Sequence, residues 1–120
     1  MRDVYGRYAT LTQRLVDSVL AGTGHTASEL RRVIEARAAG LGGRRSPPAP
    51  GGGEVPTPLA AYVDKIALHA YTITDGDVAA LQRAGSSDDA VFEITVAAAL
   101  GAALGRLERG LAALRGEEPD

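Results

Sequence analysis

The chain of 120 residues has no cysteine, and Met1 carries its only sulfur atom. That absence excludes disulfides, thiolate nucleophiles and cysteine metal sites together. Aromatic residues make up only 4% of the sequence, so a core must come from Leu, Val, Ile and Ala. Such a core suits packed helices better than a β-sandwich, which draws on β-branched and aromatic residues. Lysine is nearly absent too. Lys65 is the only one, and the arginines are scattered apart from the neighbours Arg44 and Arg45. No basic stripe interleaved with aromatics forms, so neither nucleic acid nor an anionic membrane surface is an expected partner.

Long apolar runs are also missing. The longest, Ile94 to Gly105, falls short of the roughly 20 residues a membrane span needs. The first ten residues are polar and charged, which is unlike a signal peptide. A cytoplasmic location is the resulting expectation. What is present is a hydrophobic share of 45% with a net charge of −2, ample for one domain of this length.

The apolar periodicity predicts an all-α domain of five helices. The first covers about Tyr8 to Leu20, with Leu11, Leu15, Val16 and Val19 at helical spacing. Thr26-Ala27-Ser28-Glu29 reads as a capping box opening a second helix that lasts to Gly40. From Gly40 to Pro58, six glycines and five prolines fall in nineteen residues, which predicts a flexible loop over 40–57. Thr57 as N-cap and Pro58 at the first helical position open the third helix. Its residues Leu59, Tyr62, Val63, Ile66, Ala67 and Ala70 share one face. Thr74 with Asp77 three residues on caps a short fourth helix that Gly85 ends. Ser86 or Ser87 then caps a long fifth helix, Asp88 to about Leu114, apolar on every side in its N-terminal half. There, the small residues Ala97, Gly101 and Gly105 invite a close helix contact, which we expect between subunits.

The segment Thr74-Asp75-Gly76-Asp77-Val78-Ala79-Ala80-Leu81, then Arg83-Ala84-Gly85, Ser87-Asp88-Asp89 and the Ala-rich helix through Leu107, resembles the alkylhydroperoxidase D / carboxymuconolactone decarboxylase family. The similarity is best from Leu59 to Leu114. The resemblance implies an alkylhydroperoxidase D-like helical fold and a homo-oligomer, trimer or hexamer, with a small molecule as possible ligand. The family's redox members carry a Glu, a CxxC pair and a His four residues after it. Their spacing places the cysteines near Ala70 and Ile73, the histidine near Asp77 and the glutamate near Pro58, and none matches. Thiol peroxidase activity is therefore not expected, since the thiolate it needs is absent.

Two other residues are candidates for chemistry. His69, on the flank of the third helix's apolar face, is either a general acid/base at a pocket rim or a histidine bonded to a nearby carbonyl. Glu93 shares a stripe with Val96, Leu100 and Leu104. It is either a buried proton donor for a decarboxylation or lactone-type reaction, or an acid favoured by the helix dipole. His25 and His69 lack the carboxylate partners of a metal site, and no cofactor is expected. Three functions stay open: a non-redox oligomeric member of that family, an acid/base enzyme using Glu93 and His69, or a helical interaction module.

Overall fold

The computed structural model describes residues 2–45 and 53–116, with side chains from residue 8 onward. Five α-helices account for most of them: α1 (Arg2–Leu20), α2 (Ser28–Gly42), α3 (Thr57–His69), α4 (Asp75–Arg83) and α5 (Asp88–Leu114). A single 3-10 turn, Ala70–Thr72, links α3 to α4, and no strand occurs among the described residues. The all-α expectation holds.

α5 is the spine of the molecule, and α2 lies along it in the most extensive contact between any two elements. Small residues make that contact possible. A Cβ added at Gly101 would collide with the Glu35 carbonyl oxygen, and one at Gly105 with that of Ala39. Gly42 of α2 sits against the Ala102 backbone in the same way. The two backbones thus approach over two turns with no side chain between them. The expectation that Ala97, Gly101 and Gly105 serve a contact between subunits is corrected here. Gly101 and Gly105 are used inside the subunit, against α2, and Ala97 is buried in the subunit's own core.

Ile34, Ala38, Val63, Ile94, Ala97 and Ala98 form the fully buried centre, and Leu81 of α4 and Leu20 at the end of α1 close it. At about 25 cal/mol for each Å² of apolar surface removed from water, each large aliphatic there contributes roughly 1.5–3 kcal/mol. The buried face of α5 is therefore the one bearing Ile94, Ala97, Ala98, Gly101, Ala102 and Gly105. The larger Leu104, Leu107 and Leu111 lie on its flanks or outside. Close packing selected small residues for the inside of this helix. α5 is 27 residues long, and by length and composition it could cross a membrane. That goes further than the run from Ile94 to Gly105 suggested, because Ala90, Val91 and Phe92 extend the apolar character on the other side of Glu93. More than half of its apolar window is buried within the fold.

Helix ends follow the sequence in three places and depart from it in four, the first being α1, which starts at Arg2 and not near Tyr8. Thr74 and Asp77 form the expected reciprocal capping box on α4. Ser87 caps α5, its hydroxyl accepting from the Ala90 amide at 3.1 Å. Gly85, at φ 110°, takes the left-handed position after α4. The box expected at Thr26 and Glu29 is absent: α2 starts at Ser28 behind Ala27, without a side-chain cap. Thr57 is the first residue of α3, not its cap, and Pro56 precedes it. The loop expected over 40–57 is shorter at its start. α2 runs on to Gly42 and ends in a Schellman motif, with Gly43 at φ 130° and the Arg44 amide donating to the Ala39 carbonyl at 2.8 Å. Residues 53–56 form neither helix nor strand, and the middle of that predicted loop lies outside the described residues.

Candidate functional site

Glu93 lies one turn and a half into α5, where its carboxylate meets the connection between α1 and α2. The His25 amide donates to Oε2 at 2.8 Å, and the Thr26 amide and hydroxyl donate to Oε1 at 2.8 and 2.6 Å. Two successive backbone N–H groups and a hydroxyl thus enclose one anion, as in the backbone nests that bind phosphates and carboxylates. Gly24 is part of the arrangement, because a Cβ there would sit 2.7 Å from Glu93 Oε2. These hydrogen bonds, the His25 amide first, and the nearby Arg31 guanidinium hold the Glu93 carboxyl below the usual range. Glu93 is therefore an anion near neutral pH, with its acceptor capacity directed at its own chain. The capping box expected at Thr26 does not form because α2 starts at Ser28 with Ala27 in the cap position, one residue beyond Thr26, whose amide and hydroxyl both donate to Glu93.

Arg31 completes this corner. Nearly all buried, it donates from Nη1 to the Val19 carbonyl at 2.8 Å and from Nη2 to the Gly22 carbonyl. Those carbonyls come from the last turn of α1 and the residues just after it, where no intrahelical donor remains. A buried cation from α2 thereby satisfies the end of α1, while an anion from α5 satisfies the amides that follow.

His69 is elsewhere. It ends α3, is exposed, and stands edge-on to the Tyr71 ring with centroids 6.0 Å apart. Its carbonyl accepts from the Thr72 hydroxyl at 2.7 Å. Two contacts fix how α3 lies on α5: Tyr62 Oη to Thr95 Oγ1 at 2.6 Å, and Arg106 Nη2 to the Ala67 carbonyl at 2.5 Å. At about 100° per residue, Glu93 and Thr95 point some 200° apart around α5. Glu93 and His69 thus occupy opposite flanks and do not converge. Among the described residues, no three His, Asp or Glu side chains gather as a metal ion would require.

The positions that the family resemblance assigns to redox chemistry are also occupied otherwise. Ala70 opens the 3-10 turn and Ile73 follows it, so neither lies within an α-helix. Asp77 Oδ2 accepts from Lys65 Nζ at 2.8 Å and from the Thr74 amide at 2.9 Å, and these two contacts lower its pKa, Lys65 contributing most. Asp77 is a tie between α3 and α4.

A cluster that the sequence did not disclose lies at the end of α2. Arg44 spreads its guanidinium between two acids: Nη1 and Nη2 to Glu35 at 3.1 and 2.9 Å, and Nη2 and Nε to Glu108 at 2.8 and 3.1 Å. Glu35 is buried, and both carboxylates raise the Arg44 pKa against the opposing effect of burial. The Schellman turn fixes the Arg44 backbone, so its side chain can fold back along α2. A third link, Arg37 to Asp64, is bidentate at 2.5 and 2.8 Å and joins α2 to α3. It lowers the Asp64 pKa, chiefly through the hydrogen bond. Asp64 and Lys65, neighbours on α3, are thus both inter-helix contacts.

No family model, curated protein or solved structure matches the chain.

Proposed function

We propose that this chain is a cysteine-free helical protein on the scaffold of the alkylhydroperoxidase D / carboxymuconolactone decarboxylase family, working as a self-associating module and not through thiol or acid/base catalysis. The element order supports the scaffold: a 3-10 turn, a short Thr-capped helix ending at Ala84-Gly85, then a Ser-capped 27-residue helix. The missing cysteines argue against the thiol chemistry.

One observation carries the functional reading. The face of α5 turned away from α2 is exposed at Phe92, Ala99, Ala103, Leu107 and Leu114, with exposed Arg106 on its edge, where it donates to the Ala67 carbonyl of α3. The face extends over roughly 33 Å at 1.5 Å per residue. Exposed faces of soluble helices normally carry charge, and a contiguous apolar row marks a contact surface. The acid/base reading has less support, because Glu93 is held as an anion by its own loop and His69 lies on the other flank. Sedimentation velocity at micromolar concentration tests the proposal. An assembly of several chains is expected, and a species of 12.4 kDa alone would sink it.

A further inference from the structure

α1 is held at one end only. Among its described side chains, residues 8–20, Leu20 alone is buried, Val16 and Val19 are partly covered, and Leu11 and Leu15 stand exposed. Its neighbours among the described residues are α2 and α5; α3 packs on both of these and α4 on α5, and neither touches α1. The fully buried centre, with Ile34, Val63, Ile94 and Ala97, draws none of its members from α1.

What fastens α1 is largely polar and lies at and beyond its last turn. Ser28 Oγ donates to the Leu20 carbonyl, Arg31 donates to the carbonyls of Val19 and Gly22, and the His25 and Thr26 amides donate to Glu93. On the side of the body, every one of these groups belongs to α2 or α5. We infer that α1 is a releasable arm, latched by Arg31 and Glu93, which opens as a unit about residues 21–27 while α2 to α5 stay folded.

The released state is accessible for two reasons. A helix with one buried residue gives up little apolar burial on leaving, and the free energy of a local opening follows the buried contacts it breaks. The latch residues also serve each other. Arg31 stands close enough to Glu93 to help hold its carboxyl ionised. Once the connection leaves, the two remain as opposite charges on helices that are still packed, so release strands neither. Arg31 Nε is buried with no acceptor among the described residues, a deficit of the docked state that a freed carboxylate removes. Docking still wins, because three donors on one carboxylate and two carbonyls on one guanidinium outweigh a single half-exposed ion pair.

Native-state hydrogen exchange on the full chain, resolved by residue, tests the arm. The amides of Val16, Val19 and Leu20 should share one protection factor, roughly tenfold or more below those of Ile34, Val63 and Ile94. Glu93→Gln removes the charged acceptor from the latch and should speed exchange at Leu20 several-fold. Gly101→Ala weakens the α2–α5 crossing, which persists when α1 is released. It should therefore speed exchange at Ile94 and leave Leu20 unchanged. If that variant does not fold, Val63→Ala gives the same contrast, since Val63 is fully buried on a helix that α1 does not touch. Equal protection at Leu20 and Ile94 in the wild type would make α1 part of one cooperative unit and overturn the inference. So would a body variant in which both amides speed up together, or a Glu93→Gln chain in which Leu20 does not change.

Discussion

The guanidinium of Arg44 reaches back nine residues along the chain to Glu35, with Nη2 2.9 Å from its carboxylate. Glu35 is buried, and its backbone is also the surface on which Gly101 of α5 rests. One residue therefore joins the close helix crossing to the ion cluster that closes its end. Removing Arg44 leaves Glu35 without its cation next to the tightest packing in the molecule. Arg44→Ala should destabilise the fold by about 2–4 kcal/mol, toward the lower end because Glu108 is partly solvated. Adding Glu35→Gln should recover part of that loss, since no buried charge is then stranded. Denaturant melts of the single and double variants measure this, and full additivity of the two losses would refute it.

Gly101 and Gly110 make a paired prediction. Alanine in place of a mid-helix glycine ordinarily gains about 1 kcal/mol. At Gly101 the new Cβ would enter the Glu35 backbone, which cannot rotate away as a side chain would, so overpacking of about 1–3 kcal/mol reverses the sign. At Gly110 the space within the subunit is open, and Gly110→Ala should raise the stability of the isolated subunit. Thermal unfolding at concentrations low enough to keep the chains apart checks both. A stabilised Gly101→Ala would show that α2 and α5 do not cross as closely as described.

Glu93 gives the pH dependence. Its carboxyl titrates below the ordinary range in the folded chain, as do those of Asp64 and Asp77. Groups whose folded pKa is depressed contribute stability above their unfolded pKa and lose it as pH falls through the folded value. The chain should therefore hold its stability from neutral pH down to the ordinary carboxylate range and weaken below about pH 4. Glu93→Gln keeps one carbonyl acceptor for three donors. It should cost about 1–2 kcal/mol at neutral pH, with the site's solvent contact limiting the effect. The gap between wild type and Glu93→Gln should close as pH falls below about 4. Faster hydrogen exchange at the His25 and Thr26 amides in the variant would locate the change. An equal gap at pH 3 and pH 7 would contradict the assignment.

The legible parts of the sequence were those governed by near neighbours. Ser87, Thr74 with Asp77, and Gly85 act within four residues of themselves, so the ends of α4 and the start of α5 could be read directly. Thr26 carried the same local signal and failed, because its amide and hydroxyl are turned to a carboxylate 67 residues away and α2 starts one position later than the signal, behind Ala27. Arg44 was hidden for a related reason. It lies at the edge of a Gly/Pro-rich stretch, and only the folded α2–α5 crossing brings Glu108, 64 residues away, beside it. The inward face of α5 was not legible, because its N-terminal half is apolar on every side; a helix that packs backbone to backbone buries its alanines and glycines and turns part of its leucines outward.

The unmodified chain should reduce no hydroperoxide at the expense of a dithiol. Such a cycle needs a thiolate to attack the O–O bond and a second thiol to resolve the sulfenic acid, and Met1 can do neither. Copying the redox pattern in, with Ala70→Cys, Ile73→Cys and Asp77→His, should not create an efficient enzyme either. One thiol would open a 3-10 turn at the end of α3 and the other would precede the Thr74 cap of α4, so the pair would not share the first turn of one helix, which could fix their spacing and lower their pKa. Asp77→His would also remove the carboxylate that accepts from Thr74 and Lys65, so the triple variant should melt below wild type. Retaining Asp77 and installing only the two cysteines keeps the tie to Lys65 and Thr74, so this variant should melt above the triple one, short of wild type only by the trimmed packing of Ile73, and it isolates the effect of the turn. Peroxide-dependent consumption of a dithiol donor, measured beside thermal unfolding, separates lost stability from absent chemistry. Turnover by the unmodified chain, free of bound metal or haem, would refute the prediction.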